Sequence, residues 1–298
     1  MVARRQDPIS DHSDVTELPA NARPPGPEST ATIAGHNLAE TSKSALRTFG
    51  RVADLARESV RGIFTDIVTL KFQWREMLQQ SWYLITVTAI PAVLMAIPFG
   101  VVVSMQVGNL IHQLGADSMV GAASGMGVIQ QGAPITTGLL LGGAGASAIA
   151  ADLGARNIRE EIDALHTMGI SPVHRLVIPR VAAMLFVAPL LNVLIVFVGV
   201  LAGYAIAIGP ENVTPGSYWA TFGSFTALAD LWISLAKSML FGFLVVIIAC
   251  QRGLEAKGGP RGVADGVNAA VVLSVAAIIV VNLAITQVVA MFLPVRIA

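Results

Sequence analysis

The sequence is poor in charge and almost free of cysteine. Of its 298 residues, 13% are charged and 54% are hydrophobic. A soluble domain carries about 25% charged residues, so this chain has too little polar surface to cover a core in water. We therefore expect a bilayer to be the solvent for much of it. The one cysteine, Cys250, excludes a disulfide framework and a cysteine-based metal site.

Catalytic signatures are also lacking. The sequence contains no Gly-x-Ser-x-Gly elbow, no His-Glu-x-x-His pair and no Gly-x4-Gly-Lys-Ser/Thr phosphate loop. The histidines at 112, 166 and 174 are too scattered to form a motif. We therefore predict no catalytic residue, no metal ligand and no bound cofactor, and any ATP that drives this chain must be hydrolysed by another subunit.

The N-terminal region differs from the rest of the chain. Residues 1–40 are rich in proline, without an apolar period, which predicts a disordered cytoplasmic tail. No apolar stretch follows Met1, so no cleavable signal peptide is expected. Residues 41–80 then alternate apolar and basic positions with helical spacing. They predict a basic amphipathic helix in the membrane interface, an interpretation favoured over a soluble helix packed on another domain.

Five apolar stretches follow, each long enough for a membrane-spanning helix. They cover residues 82–111, 127–151, 176–208, 229–250 and 267–293. Basic residues occur in the loops after the second and fourth stretches, whereas residues 112–126 and 209–228 contain no Lys or Arg. The distribution predicts a cytoplasmic N-terminus and a periplasmic C-terminus. The fold class is thus an all-α membrane protein with an interfacial helix, five transmembrane helices and a short cytoplasmic helix.

Small residues recur in the second stretch at four-residue steps, namely Gly138, Gly142, Ala146 and Ala150. Small residues at this spacing let helix backbones approach closely in a membrane. We therefore predict a helix-packing face here.

The loop after the second stretch carries the most distinctive pattern. Ile158, Ile162 and Leu165 would share one helical face, and Arg156–Glu160 and Arg159–Asp163 would form i,i+4 ion pairs. The pattern predicts a short amphipathic helix that ends at Gly169. Such a helix is either a solvated connection or a docking element whose apolar stripe enters a groove on a soluble partner.

Polar residues inside the apolar stretches form a second candidate site. They are Lys237, Asp230, Asn192 and Asn282. Ionisable residues in spans are rare and face protein or water. The set therefore predicts either the polar lining of a substrate cavity or hydrogen bonding between helices, with Lys237 reaching the outer interface as a further alternative.

Three segments carry a strong resemblance to the MlaE/YrbE family of ABC transporter permeases. They are residues 72–76, 145–180 and 252–268, and the resemblance extends from about residue 72 to the end. It is closest to the YrbE subunits of the Mce systems of mycobacteria and other actinobacteria. Residues 81–298 are accordingly identified as a permease domain.

The resemblance implies an assembly. Such permeases pair with a second YrbE-like chain, commonly as a heterodimer, and sit on a cytoplasmic MlaF/Mkl-type ATPase that binds ATP and Mg. MCE proteins dock on the outer face, and the cargo is a hydrophobic lipid: a phospholipid, a fatty or mycolic acid, or a sterol. The resemblance further implies import across the inner membrane, and it gives no role in binding nucleic acid.

The resemblance also implies roles for two cytoplasmic segments. The first is a coupling helix seated on the ATPase, with Arg156, Ile158, Arg159, Glu160, Glu161, Ile162, Asp163, Leu165 and Met168. The second is the loop after the fourth span, with Arg252, Glu255, Lys257 and Arg261.

Two other function classes remain to be compared. A secondary transporter or channel would use Lys237 and Asp230 as relay charges and would have no stoichiometric ATPase; five spans without an internal repeat argue against it. An intramembrane enzyme would need a nucleophile and a base at a defined spacing, which this sequence does not offer.

Overall fold

The computed structural model describes residues 48, 50–63, 65–66, 73–116, 119–210 and 213–292. The predicted tail over residues 1–40 lies outside these ranges. Within them the chain is helical apart from short connections, and no strand occurs.

Seven helices follow one another from residue 74. They are α1 (Trp74–Gln113), α2 (Val120–Ile158), α3 (Glu161–Thr167), α4 (Val173–Ile208), α5 (Pro215–Phe225), α6 (Leu228–Leu254) and α7 (Gly259–Phe292). Five of them, α1, α2, α4, α6 and α7, are long and apolar enough to cross a membrane. The all-α membrane fold class and its five spans are thereby confirmed. Each span helix begins one to eight residues before its predicted apolar stretch, and α1, α2 and α6 also end beyond it.

Residues 50–63 of the predicted interfacial segment are helical, and the location of this helix in the membrane interface stays a prediction. Val52, Leu55 and Ile63 pack against the main hydrophobic core. Residues 74–80, which the sequence pattern placed in this helix, instead form the first turns of α1, because Gln73 leaves the helical conformation.

Close helix packing depends on glycine at two contacts, one between α1 and α4 and one between α2 and α7. Gly100 of α1 lies so close to the backbone of Gly199 in α4 that a Cβ added at Gly100 would overlap the Gly199 carbonyl. On α2, a Cβ added at Gly138 or Gly142 would lie 3.0 or 3.1 Å from Ile278 of α7. The small-residue face predicted on the second span is therefore a packing face, and it contacts α7.

Helix α2 contains two π-helical turns, Val128–Gly132 and Leu141–Gly145. A π turn inserts an extra residue and disturbs the regular ladder of backbone hydrogen bonds. These turns are common at functional sites, and the first of them carries Gln130 and Gln131.

The loops divide the bundle into two ends. The start of α1, the segment around α3 and the α6–α7 connection lie at one end, which we call the basic end because its loops carry the basic residues. The α1–α2 connection and α5 lie at the other, the neutral end.

Aromatic side chains pack together at the neutral end. The ring of Tyr218 in α5 lies edge-on to that of Tyr204, with centroids 5.2 Å apart. Burial raises the pKa of the Tyr218 phenol, against a smaller lowering by its hydrogen bond with Ser124.

Candidate functional site

The predicted coupling helix is divided in two at the basic end. Helix α2 continues to Ile158, and α3 begins at Glu161. Between them Glu160 adopts a left-handed conformation with φ of 58°, which interrupts the helix. The prediction of one continuous helix through this segment is therefore wrong.

The break changes the ion pairs of this segment. Arg159 Nε lies 2.8 Å from Glu161 Oε1, and Arg156 pairs with Asp152 at 3.3 Å and with Glu161 at 3.7 Å. The predicted Arg156–Glu160 and Arg159–Asp163 pairs are thus replaced by pairs to other carboxylates. The turn at Glu160 moves these partners out of the i,i+4 register that a continuous helix would give.

The apolar stripe of the segment is divided as well. Ile162 is buried and Leu165 is half-buried, whereas Ile158 and Met168 are 37% and 64% exposed. Ile162 therefore anchors α3 to the body of the protein. Ile158 and Met168 remain available at the surface, so the docking role stays a prediction for them.

Asn157, which the sequence pattern did not single out, links the two loops of the basic end. Its Nδ2 donates hydrogen bonds to the backbone carbonyls of Leu254 at 3.0 Å and Ala256 at 2.7 Å. These carbonyls belong to the last turn of α6 and the residues after it, where backbone carbonyls have no hydrogen-bond donor within the helix. The end of α2 is thereby fastened to the end of α6.

The predicted loop residues surround this link. Glu255 accepts a hydrogen bond from Gln251 at 2.9 Å and forms an ion pair of 2.7 Å with Arg51 of the N-terminal helical segment. Arg252 is half-buried, whereas Lys257 and Arg261 are exposed. The structure therefore brings Glu255 into a network and leaves Lys257 and Arg261 on the surface.

An ion pair between a buried arginine and a partly exposed aspartate joins α2 and α4 at the same end. The Arg180 guanidinium donates a hydrogen bond to the Asp152 carboxylate and another, of 2.5 Å, to the Leu176 carbonyl. The Arg180 side chain is only 3% exposed. A buried guanidinium needs such partners, since removing one would leave an uncompensated charge.

Three of the four polar residues predicted inside the spans, Lys237, Asp230 and Asn282, belong to a cluster among α2, α6 and α7. Lys237 is 4% exposed, and its ammonium donates to the Gln130 carbonyl at 3.3 Å and to Thr286 Oγ1 at 3.2 Å. The Gln130 side chain donates to Asp230 Oδ1 at 3.1 Å. Gln130 therefore bridges Lys237 and Asp230, which make no direct ion pair within 4.0 Å.

The cluster continues towards α7. Gln131 Nε2 donates to Thr286 Oγ1 at 3.2 Å, and Asn282 Nδ2 donates to Gln131 Oε1 at 3.5 Å. The Oδ1 atom of Asn282 is buried and has no hydrogen-bond partner among the described residues. We refer to Gln130, Gln131, Asp230, Lys237, Asn282 and Thr286 as the polar cluster.

Asn192, the fourth predicted residue, lies apart from this cluster. It donates to Ser234 Oγ at 2.8 Å and accepts from Thr137 Oγ1 at 3.5 Å, which ties α4 to α6 and α2. Asn192 is 1% exposed and both ends of its amide are satisfied. Its role in the described structure is therefore helix packing.

Sequence reasoning missed three members of the polar cluster. Gln130 and Gln131 are adjacent amides near the start of an apolar stretch. Amide side chains in a membrane span form hydrogen bonds to other helices, so these two could have been predicted. Thr286 carried no signal, since a threonine is common on any helix face.

Comparisons with known proteins extend these observations. The family described as Permease MlaE matches residues 77–288. A probable ABC transporter permease protein of Synechocystis is 33% identical over 183 residues, which cover 61% of this chain and 70% of the relative. A protein of the same description from Rickettsia typhi is 29% identical over 200 residues, covering 67% and 77%. A third, from Pyropia yezoensis, is 24% identical over 208 residues, covering 68% and 78%.

Proposed function

The chain belongs to the MlaE family of permeases, and from this premise we propose that it is the membrane subunit of an ATP-driven lipid transporter of the Mce type. A permease of an ABC transporter works with a separate ATPase, so this chain supplies the path and the partner supplies the hydrolysis. The proposed cargo is a hydrophobic lipid of the phospholipid, fatty or mycolic acid, or sterol class, moved by import.

The geometry of the basic end supports a coupling role. Glu161 on α3 pairs with Arg159, while Ile158 and Met168 present exposed apolar side chains beside these charges. A groove on a cytoplasmic ATPase would bury the apolar groups, and ion pairs with these charges would fix the position of the segment in the groove. The Asn157 hydrogen bonds would pass a displacement of this segment to α6.

The polar cluster supports a role in contacting cargo. Lys237 is a cation on α6, the same helix that Asn157 fastens at the basic end. Helix α7, which Lys237 contacts through Thr286, has an apolar exposed side, with Val280 and Leu283 66% and 61% exposed. A cation held behind an apolar helix surface would suit a lipid with an anionic headgroup and an acyl chain, once the headgroup replaces the present partners of the ammonium.

The open faces also support partners in the membrane. In α1 and α7 only 22% of the most apolar window is buried within the chain. A second YrbE-like permease chain, as a heterodimer, would cover part of this surface, and lipid the rest. We place the basic end in the cytoplasm, on an MlaF/Mkl-type ATPase, and the neutral end towards extracytoplasmic MCE proteins, across the inner membrane.

The observation that carries the proposal is the family match over the five spans. Affinity purification of the tagged chain in mild detergent, followed by mass spectrometry of proteins and lipids, tests it. We expect a stoichiometric ATPase, a second permease chain and MCE proteins, together with enriched lipid. Purification of the folded chain without any ATPase would favour the secondary transporter or channel.

A further inference from the structure

A cavity of about 310 Å³ opens at the basic end between α1, α2 and the start of α4. Its chemically distinctive lining consists of Glu76, Gln80, Tyr83, Asp152, Arg156 and Arg180. It shares no residue with the polar cluster, which lies among α2, α6 and α7. The cavity is therefore a separate candidate binding site.

The cavity changes from charged to apolar along the bundle axis. Glu76 and Tyr83 lie seven residues apart on α1, and Ala148 and Arg156 lie eight apart on α2. At 1.5 Å per residue these separations are about 10 and 12 Å. Because α1 starts and α2 ends at the basic end, the charged groups lie near that end, while Tyr83 and Ala148 lie deeper in the bundle.

Exposed aromatic side chains mark this level of α1 as the membrane interface. Trp74 and Trp82 are 61% and 74% exposed, on either side of the turns that line the cavity. Tryptophan is enriched where headgroups meet acyl chains. The cavity therefore opens at the depth of lipid headgroups, in the leaflet that borders the basic end.

The four charged side chains of the lining have a net charge of zero. Positive and negative groups are nevertheless both available to bind a ligand. Asp152 receives hydrogen bonds from both Arg156 and Arg180. These bonds use only some of the five N–H donors on each guanidinium. Glu76, in contrast, has no basic group within 4.0 Å among the described residues.

This arrangement is complementary to a zwitterion. A phosphate would take the remaining guanidinium donors in charge-assisted hydrogen bonds, and a primary ammonium would take the Glu76 carboxylate. The deeper part of the cavity, with Tyr83, Ala148 and Ile149, would accept the glycerol and the start of the acyl chains. A headgroup without an amine would leave Glu76 facing the phosphate with no cation between them.

We propose that this cavity binds the headgroup of an amine-bearing phospholipid from the leaflet at the basic end. The lipid is a retained ligand rather than cargo, and it contacts Arg156, which also pairs with Glu161 of the predicted coupling segment. The site rests on the membrane-spanning assignment, and its cytoplasmic location rests on the proposed function.

Native mass spectrometry of the purified complex tests the site directly. The complex is titrated with phosphatidylethanolamine, phosphatidylglycerol and inorganic phosphate. We expect a preference of about tenfold for phosphatidylethanolamine over phosphatidylglycerol, the scale of one charge-assisted hydrogen bond. Glu76→Gln should abolish the preference and Glu76→Lys should reverse it. Glu58→Gln, which removes an exposed acid outside the cavity, should preserve it.

The controls separate this site from the cargo path. Lys237→Met changes the polar cluster, so the preference should survive in that variant even if transport is lost. Equal binding of the two lipids by the wild type would overturn the proposal, as would a preference that persists in Glu76→Gln. Displacement of phosphatidylethanolamine by inorganic phosphate would also overturn it, because the cavity would then be a simple anion site.

Discussion

The side-chain amide of Asn157 donates a hydrogen bond of 2.7 Å to the backbone carbonyl of Ala256. The bond joins the end of the second span to the connection after the fourth. Since the predicted coupling segment begins next to Asn157, the link connects that segment directly to the end of α6.

Asn157→Ala should weaken this connection. Loss of two hydrogen bonds, each contributing about 1 kcal/mol, should lower the unfolding temperature of the purified chain by a few degrees. If Asn157 transmits coupling, the lipid-dependent part of the ATPase activity of the complex should fall more than the folded yield. Ser147→Ala, which removes a 3.0 Å bond within α2 alone, is the matched control. A loss of stability with unchanged lipid stimulation would make Asn157 a purely structural cap.

Gly100→Ala should destabilise the bundle. The added methyl group would meet the backbone of Gly199, which cannot move aside as a side chain can, so we expect a loss of about 3 kcal/mol. Gly143→Ala is the control because a Cβ at that position would have no neighbouring atom within 4 Å. It should be neutral or stabilising by about 1 kcal/mol through helix propensity. Thermal unfolding in detergent measures both, and equal effects would contradict the close approach of α1 and α4.

Lys237→Met separates the two interpretations of the polar cluster. Replacing the buried ammonium by an apolar side chain of similar length removes two hydrogen bonds but also the desolvation cost of a charge, and the two effects largely cancel. If the ammonium contacts cargo, lipid movement should fall about tenfold while the unfolding temperature stays nearly constant. Ser238→Ala, next to it on α6, removes only a hydrogen bond to the Leu235 carbonyl and should retain activity. Should the unfolding temperature and activity of Lys237→Met fall in parallel, helix–helix bonding would be its role.

Changing Glu160, Glu161 and Asp163 together to Ala tests the coupling segment. The variant loses the carboxylate that holds Arg159 and two further acids at the surface. We expect it to insert into the membrane normally but to lose most of its co-purifying ATPase. The control replaces three exposed acids elsewhere at the basic end, Asp54, Glu58 and Asp265. Retention of the ATPase and of transport in the Glu160, Glu161 and Asp163 variant would contradict the assignment.

The five spans were predictable because a bilayer imposes one dominant requirement. A spanning segment must satisfy its backbone hydrogen bonds internally and present apolar side chains, so length and hydropathy suffice to find it. The α2–α7 contact through Gly138 and Gly142 also followed in part, because small residues at four-residue steps indicate a packing face. The identity of the partner helix did not follow.

The features that could not be predicted from the sequence depend on which helices become neighbours. Gly100 and Gly199 each lie in an ordinary apolar run, and only the tertiary arrangement places one backbone against the other. Glutamate favours helix by propensity, so the left-handed turn at Glu160 was not foreseen, and two predicted ion pairs were wrong as a result. Lys237 and Asp230 were found as unusual charges, whereas the bridge between them, Gln130, required knowledge of the α2–α6 contact.

The most direct test of a lipid permease driven by a separate ATPase is lipid movement in proteoliposomes. The purified complex is reconstituted with a fluorescent lipid, and movement is followed with ATP, with a non-hydrolysable analogue and without the ATPase subunit. We predict movement only with ATP and the ATPase present, and its loss in the Glu160, Glu161 and Asp163 variant. Lipid or ion movement by this chain without an ATPase, driven by an ion gradient, would contradict the account.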